Sequence, residues 1–151
     1  MTLIRPMKPA DFPAIQRLVI QLINAVESPP PRAITETQME NVLEYVSANP
    51  EIYLTLVAED ENQVVGLLSL VFYRVWFHPG GTALITELIV DEQFRGKGIG
   101  ANLIEEAVKA ARARGMDEIE VGTERENSGA QRFYRRCGFD DEYVLLSKEF
   151  E

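Results

Sequence analysis

The fold is decided by the stretch Val90-Asp91-Glu92-Gln93-Phe94-Arg95-Gly96-Lys97-Gly98-Ile99-Gly100. Strand-forming residues precede it and apolar residues at three- and four-residue spacing follow it, which predicts a strand, a glycine-rich loop and a long helix. Glycines let neighbouring backbone N–H groups point at one object, and a helix start adds about half a positive charge. With Arg95 and Lys97 beside these donors, we expect a cationic loop suited to a pyrophosphate.

Three other interpretations of this loop can be weighed. A turn whose glycines serve packing alone has no need of the flanking basic residues. A nucleotide-binding P-loop is excluded, because the sequence contains no Gly-Lys-Ser/Thr. The dinucleotide-binding fingerprint is formally matched by Gly96, Gly98 and Ala101, with Glu118 and Glu120 about 20 residues further on. That fingerprint opens a series of strand–helix–strand units, for which too few residues follow, so an oxidoreductase that binds NAD(H) is disfavoured.

The composition is that of a folded globular protein, and we expect one domain over residues 1–151. Of the 151 residues, 46% are hydrophobic and 26% are charged, which excludes a chain disordered over its whole length. The formal net charge of −9 disfavours binding to nucleic acid or to an anionic membrane surface, and it weakly favours a cationic partner.

The counts of cysteine and histidine and the hydropathy of the sequence exclude several further classes of protein. The single cysteine, Cys137, excludes an internal disulfide, and together with the single histidine it cannot form a His/Cys zinc site, so no metal is expected. The most apolar stretch, Val64 to Tyr73, is much shorter than the roughly 20 residues of a membrane span. The first residues contain no long apolar run, so no signal peptide is predicted. We therefore expect a soluble, cytoplasmic protein.

Local patterns predict the element order β-α-α-β-β-β-α-β-α-β. Asp11, Thr35 and Asn127 are expected to cap three of the helices, with Gln38 completing a capping box. The predicted strands cover residues 2–5, 52–58, 64–75, 82–90, 118–121 and 143–147.

The connections between these strands predict a mixed sheet. The turn before strand 82–90 is placed at His78-Pro79-Gly80-Gly81, and the strands around it form antiparallel hairpins. The unit from Ala83 to Val121 contains a helix, so its two strands need a crossover and are parallel. An α/β sheet with helices on both faces follows.

Two blocks of the sequence resemble the GNAT family of N-acetyltransferases. Gln93-Phe94-Arg95-Gly96-Lys97-Gly98-Ile99-Gly100 is similar to the family's Arg/Gln-x-x-Gly-x-Gly/Ala motif for acetyl-coenzyme A. Asn127-Ser128-Gly129-Ala130-Gln131-Arg132-Phe133-Tyr134-Arg135-Arg136-Cys137-Gly138-Phe139 is similar to its Asn-x-x-Ala-x-x-Phe-Tyr-x-x-x-Gly-Phe segment. The element order matches along nearly the whole chain. The resemblance implies a GNAT-like fold, a mixed and mostly antiparallel sheet of about six or seven strands with helices on both faces, and acetyl-coenzyme A as cofactor.

The resemblance also implies which residues bind the coenzyme. The pantetheine arm would run antiparallel to the strand Leu88-Ile89-Val90, in a gap where this strand and strand 118–121 splay apart. Asn127 would hydrogen-bond the arm from the other side, and Tyr134 would lie near the sulfur. The pyrophosphate would lie on the backbone amides of Arg95, Gly96, Lys97, Gly98, Ile99 and Gly100.

Acetyl transfer to an amine needs a base, donors to the developing oxyanion and a donor to the leaving thiolate. Glu87 is the candidate base, acting directly or through water beside the substrate; the alternative is a surface carboxylate. The backbone N–H groups of Leu88 to Val90 are the candidate oxyanion donors. Tyr134 is the candidate acid; the alternative is a tyrosine that only packs. Because Tyr titrates near ~10 and a thiol near ~8.5, a hydrogen bond to the thiolate suffices.

Three further residues have two interpretations each. Cys137 shares a helix face with Tyr134, and core packing is favoured over an acetyl-cysteine intermediate because no His is placed to activate the thiol. His78 either belongs to a turn or lines the acceptor site. Glu27, beside the loop Ser28-Pro29-Pro30-Pro31, either contacts a cationic substrate or is an ordinary loop residue.

The predicted function is acetyl-coenzyme A-dependent transfer of an acetyl group to a primary amine of a small molecule, peptide or protein, with coenzyme A as product. The alternative is a coenzyme-binding regulatory protein with the same fold and weak catalysis. A homodimer is compatible with the resemblance, and the predicted strand Tyr143–Ser147 would offer it an edge.

Overall fold

A five-stranded sheet forms the centre of the computed structural model, which describes residues 2–26, 30 and 32–150. The strands and α-helices of these ranges are β1 (Thr2–Pro6), α1 (Phe12–Ala25), α2 (Glu36–Ala48), β2 (Tyr53–Asp60), β3 (Gln63–Val75), β4 (His78–Val90), α3 (Ile99–Ala113), β5 (Glu118–Val121) and α4 (Ser128–Arg136).

The sheet is mixed, which confirms the prediction. The strands lie in the order β1-β2-β3-β4-β5; the first four are antiparallel neighbours and β5 is parallel to β4. The β2–β3 hairpin turns at Glu61 and Asn62, which have φ of 50° and 64°, because two left-handed residues match the twist of paired strands. Helix α3 supplies the crossover between β4 and β5 that parallel strands require.

Helices pack on both faces of the sheet, as predicted. On one face, here called the α3 face, Leu103 of α3 packs against Leu68 of β3. On the other, here called the α1 face, the fully buried Leu18 of α1 packs with Leu67 of β3 and Ile89 of β4. Successive residues of a strand point to opposite faces of the sheet. Side chains therefore alternate along each strand between the α3 face and the α1 face.

The prediction of a strand at Tyr143–Ser147 is wrong. Within the described residues the chain forms no helix or strand after α4, and the sheet has five strands instead of six or seven. The segment is rich in strand-forming residues, but a strand exists only where its backbone groups meet those of a neighbour. Residues 143–147 of one chain have no such neighbour, and their apolar side chains are exposed.

The turn predicted at His78-Pro79-Gly80-Gly81 is also misplaced. β3 and β4 are joined at Trp76 and Phe77, Val75 pairs with His78, and the four predicted turn residues belong to β4.

Contacts with the segment before β5 explain this difference. The carboxylate of Asp117 accepts a hydrogen bond from the Gly80 N–H at 2.9 Å, and the Asp117 N–H donates to the Gly81 carbonyl at 2.8 Å. A Cβ at Gly81 would lie 2.7 Å from the Met116 Sδ. The glycines therefore serve close packing inside a strand instead of a turn.

Helix ends were predicted better than strand ends, with one exception. Thr35 and Gln38 form the expected capping box, and the Asn127 side chain caps α4. Asp11 does not cap α1 through its side chain. Its carboxylate instead accepts two hydrogen bonds from the Arg5 guanidinium, at 2.8 and 2.9 Å, and the pKa of Asp11 is lowered mainly for that reason.

Candidate active site

The end of β4 lies at an open edge of the sheet. The pairing of β4 with β5 stops at Ile85 and Val121, whereas its pairing with β3 continues to Val90. Among the described residues, no strand pairs with the outer edge of Thr86–Val90. Because β5 ends early, the backbone edge of Leu88 to Val90 that faces away from β3 is not paired with another strand of the described residues.

A β-bulge sits at the beginning of this open edge. Ser69 of β3 pairs with Glu87 while Leu70 pairs with Ile85, so Thr86 is the extra residue. Bulges bend a strand and redirect its side chains. The bulge lies directly before Glu87, the candidate base, and Glu87 is half-buried on the α1 face.

The glycine-rich loop leads from this edge into α3. Gly96 and Gly98 have φ of +78° and +80°, and the space that a Cβ would occupy at each is open. No side chain caps the start of α3, where Gly98 is the N-cap residue. The first N–H groups of a helix lack partners within it, so this loop exposes backbone donors beside the positive end of α3, which are suited to an anion.

The two basic residues of the loop have different positions. The Arg95 Nε donates to the Val90 carbonyl at 3.1 Å, which ties the loop back to the strand end. The Lys97 Nζ lies 5.0 Å from the centre of the Phe94 ring. Both side chains are exposed and keep positive charge beside the open donors.

Asp91, which the sequence analysis did not single out, holds the loop in place. It is buried and accepts hydrogen bonds from the Gln93 N–H (3.1 Å) and from the Arg17 guanidinium of α1. Burial alone would raise the pKa of Asp91, but the hydrogen bonds from Gln93 and Arg17 outweigh burial and lower it. The position of Asp91 directly before the glycine-rich loop is a local hint of its role. Its partner Arg17, however, lies 74 residues away in the sequence, so no local pattern predicts the contact.

Helix α4 packs close to the start of α3. A Cβ at Gly100 would lie 3.3 Å from the Cζ of Phe133, so the absence of a side chain at Gly100 allows this approach. The Asn127 Oδ1 accepts a hydrogen bond from the Ala130 N–H at 3.0 Å. With its oxygen engaged as a cap, Asn127 has its amide Nδ2 as the group that can donate to a ligand.

Tyr134 is half-buried on α4 between two other aromatic rings. Its ring contacts Phe133 and Phe139 edge to face, at centroid distances of 5.3 and 5.8 Å. Burial, and secondarily Cys137, raises the pKa of Tyr134, so the hydroxyl stays protonated near neutral pH. The Cys137 side chain packs against the core of the α3 face, and burial raises the pKa of its thiol.

A groove of about 510 Å³ opens on the α1 face. Its carboxylates, Glu118 and Glu120 on β5, come from the same face as Glu87, because Glu118 pairs with Thr82 and Glu120 with Leu84. The other lining residues are Tyr73, Val75, Phe77, His78, Thr82 and Tyr143.

The polar groups of this groove contact one another. The Tyr73 hydroxyl donates to the Glu120 carboxylate, and burial together with this carboxylate raises the pKa of Tyr73 to about 12. Glu118 accepts from the Thr82 hydroxyl at 3.3 Å and lies 3.4 Å from the His78 Nε2. His78 therefore lines the groove and is not a turn residue. No local pattern in the sequence indicates a role for Tyr73, because the groove joins residues of three separate strands.

The role predicted for Glu27 stays a prediction, because Glu27 and the adjoining Ser28, Pro29 and Pro31 lie outside the described residues. Within the described ranges, no three His, Cys, Asp or Glu side chains are grouped to hold a metal ion. None of the helices that the structure describes is both long enough and apolar enough to cross a bilayer.

Comparisons with known proteins agree with this geometry. The model of the acetyltransferase (GNAT) family matches residues 19–139. Glucosamine 6-phosphate N-acetyltransferase 1 of Oryza sativa subsp. japonica is 30% identical over 152 residues, which cover 97% of this chain and 86% of the rice protein. An uncharacterized N-acetyltransferase of Methanocaldococcus jannaschii is 44% identical over 63 residues, 42% of this chain, and the match spans only 28% of that protein.

A solved structure shares the fold over nearly the whole chain. The structure of AAC(6')-Iy in complex with the bisubstrate analogue CoA-S-monomethyl-acetylneamine superposes with a TM-score of 0.83, covering 99% of each chain at 17% identity. At this identity the likeness concerns the fold.

Proposed function

The chain belongs to the acetyltransferase (GNAT) family, and we propose that it transfers the acetyl group of acetyl-coenzyme A directly to a primary amine. One observation carries the proposal: the unpaired edge of β4 at Leu88 to Val90 leads directly into a loop of exposed backbone donors at the start of α3. An extended polar arm that ends in a pyrophosphate fits these two features together.

The residues present are suited to holding this coenzyme. The backbone amides from Arg95 to Gly100 would hold the pyrophosphate, with Arg95 and Lys97 adding positive charge. The backbone of Leu88 to Val90 would hydrogen-bond the pantetheine arm in place of a neighbouring strand. The Asn127 Nδ2 would donate to the arm from the α4 side.

The chain's own groups would supply the rest of the chemistry. Acetyl-coenzyme A supplies an activated thioester when bound. Glu87 would accept the amine proton, directly or through a water molecule. Backbone N–H groups of Leu88 to Val90 would donate to the carbonyl oxygen as it becomes negative.

Tyr134 would donate a hydrogen bond to the departing sulfur. Transferring its proton completely to a thiolate is uphill by about 2 kcal/mol at ordinary pKa values, and burial raises the pKa of Tyr134 further. We therefore assign Tyr134 the stabilisation of the thiolate by a hydrogen bond.

The groove on the α1 face supports a cationic acceptor. Glu118 and Glu120 place two carboxylates among aromatic side chains that can contact ammonium groups. By strand register this groove lies about three residues from Glu87, or roughly 10 Å. A phosphorylated acceptor, such as the one named for the rice relative, would meet repulsion from these carboxylates. We therefore propose a small molecule with more than one amine and no phosphate.

The test measures binding and turnover separately. Calorimetry with acetyl-coenzyme A is expected to give saturable binding. Release of free thiol is then followed with a panel of amines: diamines and amino sugars, the phosphates of those sugars, and peptides. Thiol release with the cationic small molecules supports the proposal. Binding without thiol release from any amine would instead favour a coenzyme-binding regulatory protein, and absence of binding would contradict both.

A further inference from the structure

Thr86, the extra residue of the β-bulge in β4, is exposed and lies directly before the candidate base Glu87. Its hydroxyl donates a hydrogen bond to the Oε2 atom of the Glu87 carboxylate at 2.5 Å. Distances of about 2.5–2.7 Å are typical of strong hydrogen bonds from a hydroxyl to a charged oxygen. Neighbouring residues of a regular strand point to opposite faces of the sheet, so this contact needs a departure from regular strand geometry.

The bulge provides that departure. Ile85 packs in the core of the α3 face and Ile89 in the core of the α1 face, although residues four apart in a regular strand share one face. The extra residue shifts the alternation by one position, which leaves Thr86 and Glu87 side by side on the α1 face. Without the bulge, these two side chains would point to opposite faces of the sheet.

The Thr86 hydroxyl has one hydrogen to donate and two acceptors near it. The second acceptor, the Ser69 carbonyl of β3, lies 3.4 Å away, which exceeds the usual range of about 2.5–3.0 Å for a hydroxyl donor. The hydrogen is therefore directed at Glu87. Among the residues that the structure describes, no other side chain donates to this carboxylate, so within these ranges its orientation depends on Thr86.

We propose that Thr86 is a positioning residue for acetyl transfer, and that its hydroxyl holds the Glu87 carboxylate in the orientation that accepts the amine proton. The inference rests on the proposed function, in which Glu87 is the base. With Oε2 bound to Thr86, Oε1 is the oxygen that accepts the proton. In that step the amine N–H bond breaks, its electrons remain on nitrogen, and the proton forms an O–H bond at Oε1.

A fixed orientation matters for Glu87 because its side chain has several rotatable bonds and is only half-buried. Misplacing a reacting group by about 1 Å can cost roughly 100-fold in rate. Thr86 is itself β-branched, so its χ1 angle is restricted and the direction of its hydroxyl is limited. The hydrogen bond also persists through the proton transfer, because a neutral carboxyl group keeps an acceptor oxygen.

The alternative is that Thr86 serves only the strand, as a β-branched residue. Two substitutions separate these roles. Thr86→Val keeps the branched shape and removes the hydroxyl, whereas Thr86→Ser keeps the hydroxyl and removes the methyl group. A positioning hydroxyl predicts that the serine variant retains activity and the valine variant loses it, and a role in the strand predicts the reverse.

The experiment measures thiol release with acetyl-coenzyme A and the amine of the panel that the native chain acetylates fastest. Thr86→Val is expected to lower kcat about tenfold, with the acceptor KM and the coenzyme affinity changed by less than about twofold, because Thr86 acts on the base alone. Thr86→Ser is expected to retain most of the native kcat. Thr2→Val makes the same change on β1, three strands away from β4, and is expected to leave kcat unchanged.

A double-mutant cycle with Glu87→Gln tests whether Thr86 acts through Glu87. In the Glu87→Gln background, Thr86→Val is expected to change kcat by less than about twofold, because no base is left to position. An equal loss of kcat in both backgrounds, or a native kcat in Thr86→Val, would overturn the positioning role and leave the proposed function standing. A native kcat in Glu87→Gln would overturn the positioning role together with the assignment of the base. Absence of thiol release from the native chain with every amine would contradict the proposed function and the positioning role with it.

Discussion

The guanidinium of Arg17 on α1 hydrogen-bonds the buried carboxylate of Asp91, the residue that directly follows β4. Arg17 also donates to the Val64 carbonyl at 3.0 Å, and the neighbouring Gln21 side chain accepts from the Glu92 N–H at 3.4 Å. Helix α1 is thereby joined to the loop proposed to hold the coenzyme.

Replacing this carboxylate gives a pH-dependent prediction. Asp91→Asn is expected to lower the free energy of unfolding at neutral pH by about 1–3 kcal/mol, because a charged hydrogen bond is lost. The pKa of Asp91 is lowered in the folded state, so its stabilisation is present above the ordinary carboxyl pKa of about 4 and is lost as pH falls through the lower folded value.

Urea unfolding of both proteins from pH 7 to acid measures this difference, and the two curves are expected to converge at acid pH. The same substitution at Asp140, an exposed residue, is the control. A difference in stability that is independent of pH would contradict the assigned role of the Asp91 charge.

Gly98 tests the coenzyme loop. Its φ of +80° lies in the left-handed region, so Gly98→Ala costs about 1–2 kcal/mol of backbone strain although no neighbour is close. Calorimetry is expected to show coenzyme affinity weakened by up to about tenfold. Gly122→Ala is the control, since its surroundings are equally open and its φ is not positive. If the two variants bind the coenzyme with equal affinity, the left-handed conformation of Gly98 is not needed for coenzyme binding.

Tyr134 tests the donor to the leaving sulfur. Tyr134→Phe keeps the ring packing with Phe133 and Phe139 and removes only the hydroxyl. Turnover is expected to fall by about 100-fold, with coenzyme affinity nearly unchanged. Tyr45→Phe, on the exposed side of α2, is the control. Steady-state kinetics with calorimetry separates the two quantities, and unchanged turnover would exclude Tyr134 from the reaction.

Glu87 tests the base. Glu87→Gln is expected to lower turnover with coenzyme affinity nearly unchanged, because the amide of Gln cannot accept the amine proton. Glu44→Gln on α2 makes the same chemical change at an exposed position. Turnover as high in Glu87→Gln as in Glu44→Gln would show that another group accepts the amine proton.

The groove carboxylates test the acceptor class. Glu118→Gln/Glu120→Gln is expected to raise KM about tenfold for a diamine, since two attractive charges are lost, and to change KM little for a monoamine. Glu105→Gln/Glu106→Gln on α3 alters the net charge equally and is the control. If the two double variants change KM for the diamine equally, the groove does not bind the acceptor.

Features that depend on neighbours in the sequence could be predicted. The helical periodicity of α1, α2 and α3, the capping box at Thr35 and the Asn127 cap are local. The strand–loop–helix unit around Gly96 and Gly98 is also local, because only glycine readily adopts the backbone conformation of these two residues. The parallel pairing of β4 with β5 followed as well, because a helix between two strands leaves few other connections.

Features that depend on distant residues needed the tertiary structure. The glycines at Gly80 and Gly81 signal a turn locally, and only Asp117 and Met116 draw them into a strand. The strand propensity of residues 143–147 has no effect without an edge to pair with.

Residue patterns are enough to predict the fold class and the loop proposed for the coenzyme, because both follow from local backbone preferences and chain connectivity. Only the folded chain shows the Arg17–Asp91 contact, the groove of Tyr73, Glu118 and Glu120, and the uncovered C-terminal segment. Each of these depends on strand register and packing between residues far apart in the chain, which no local pattern encodes.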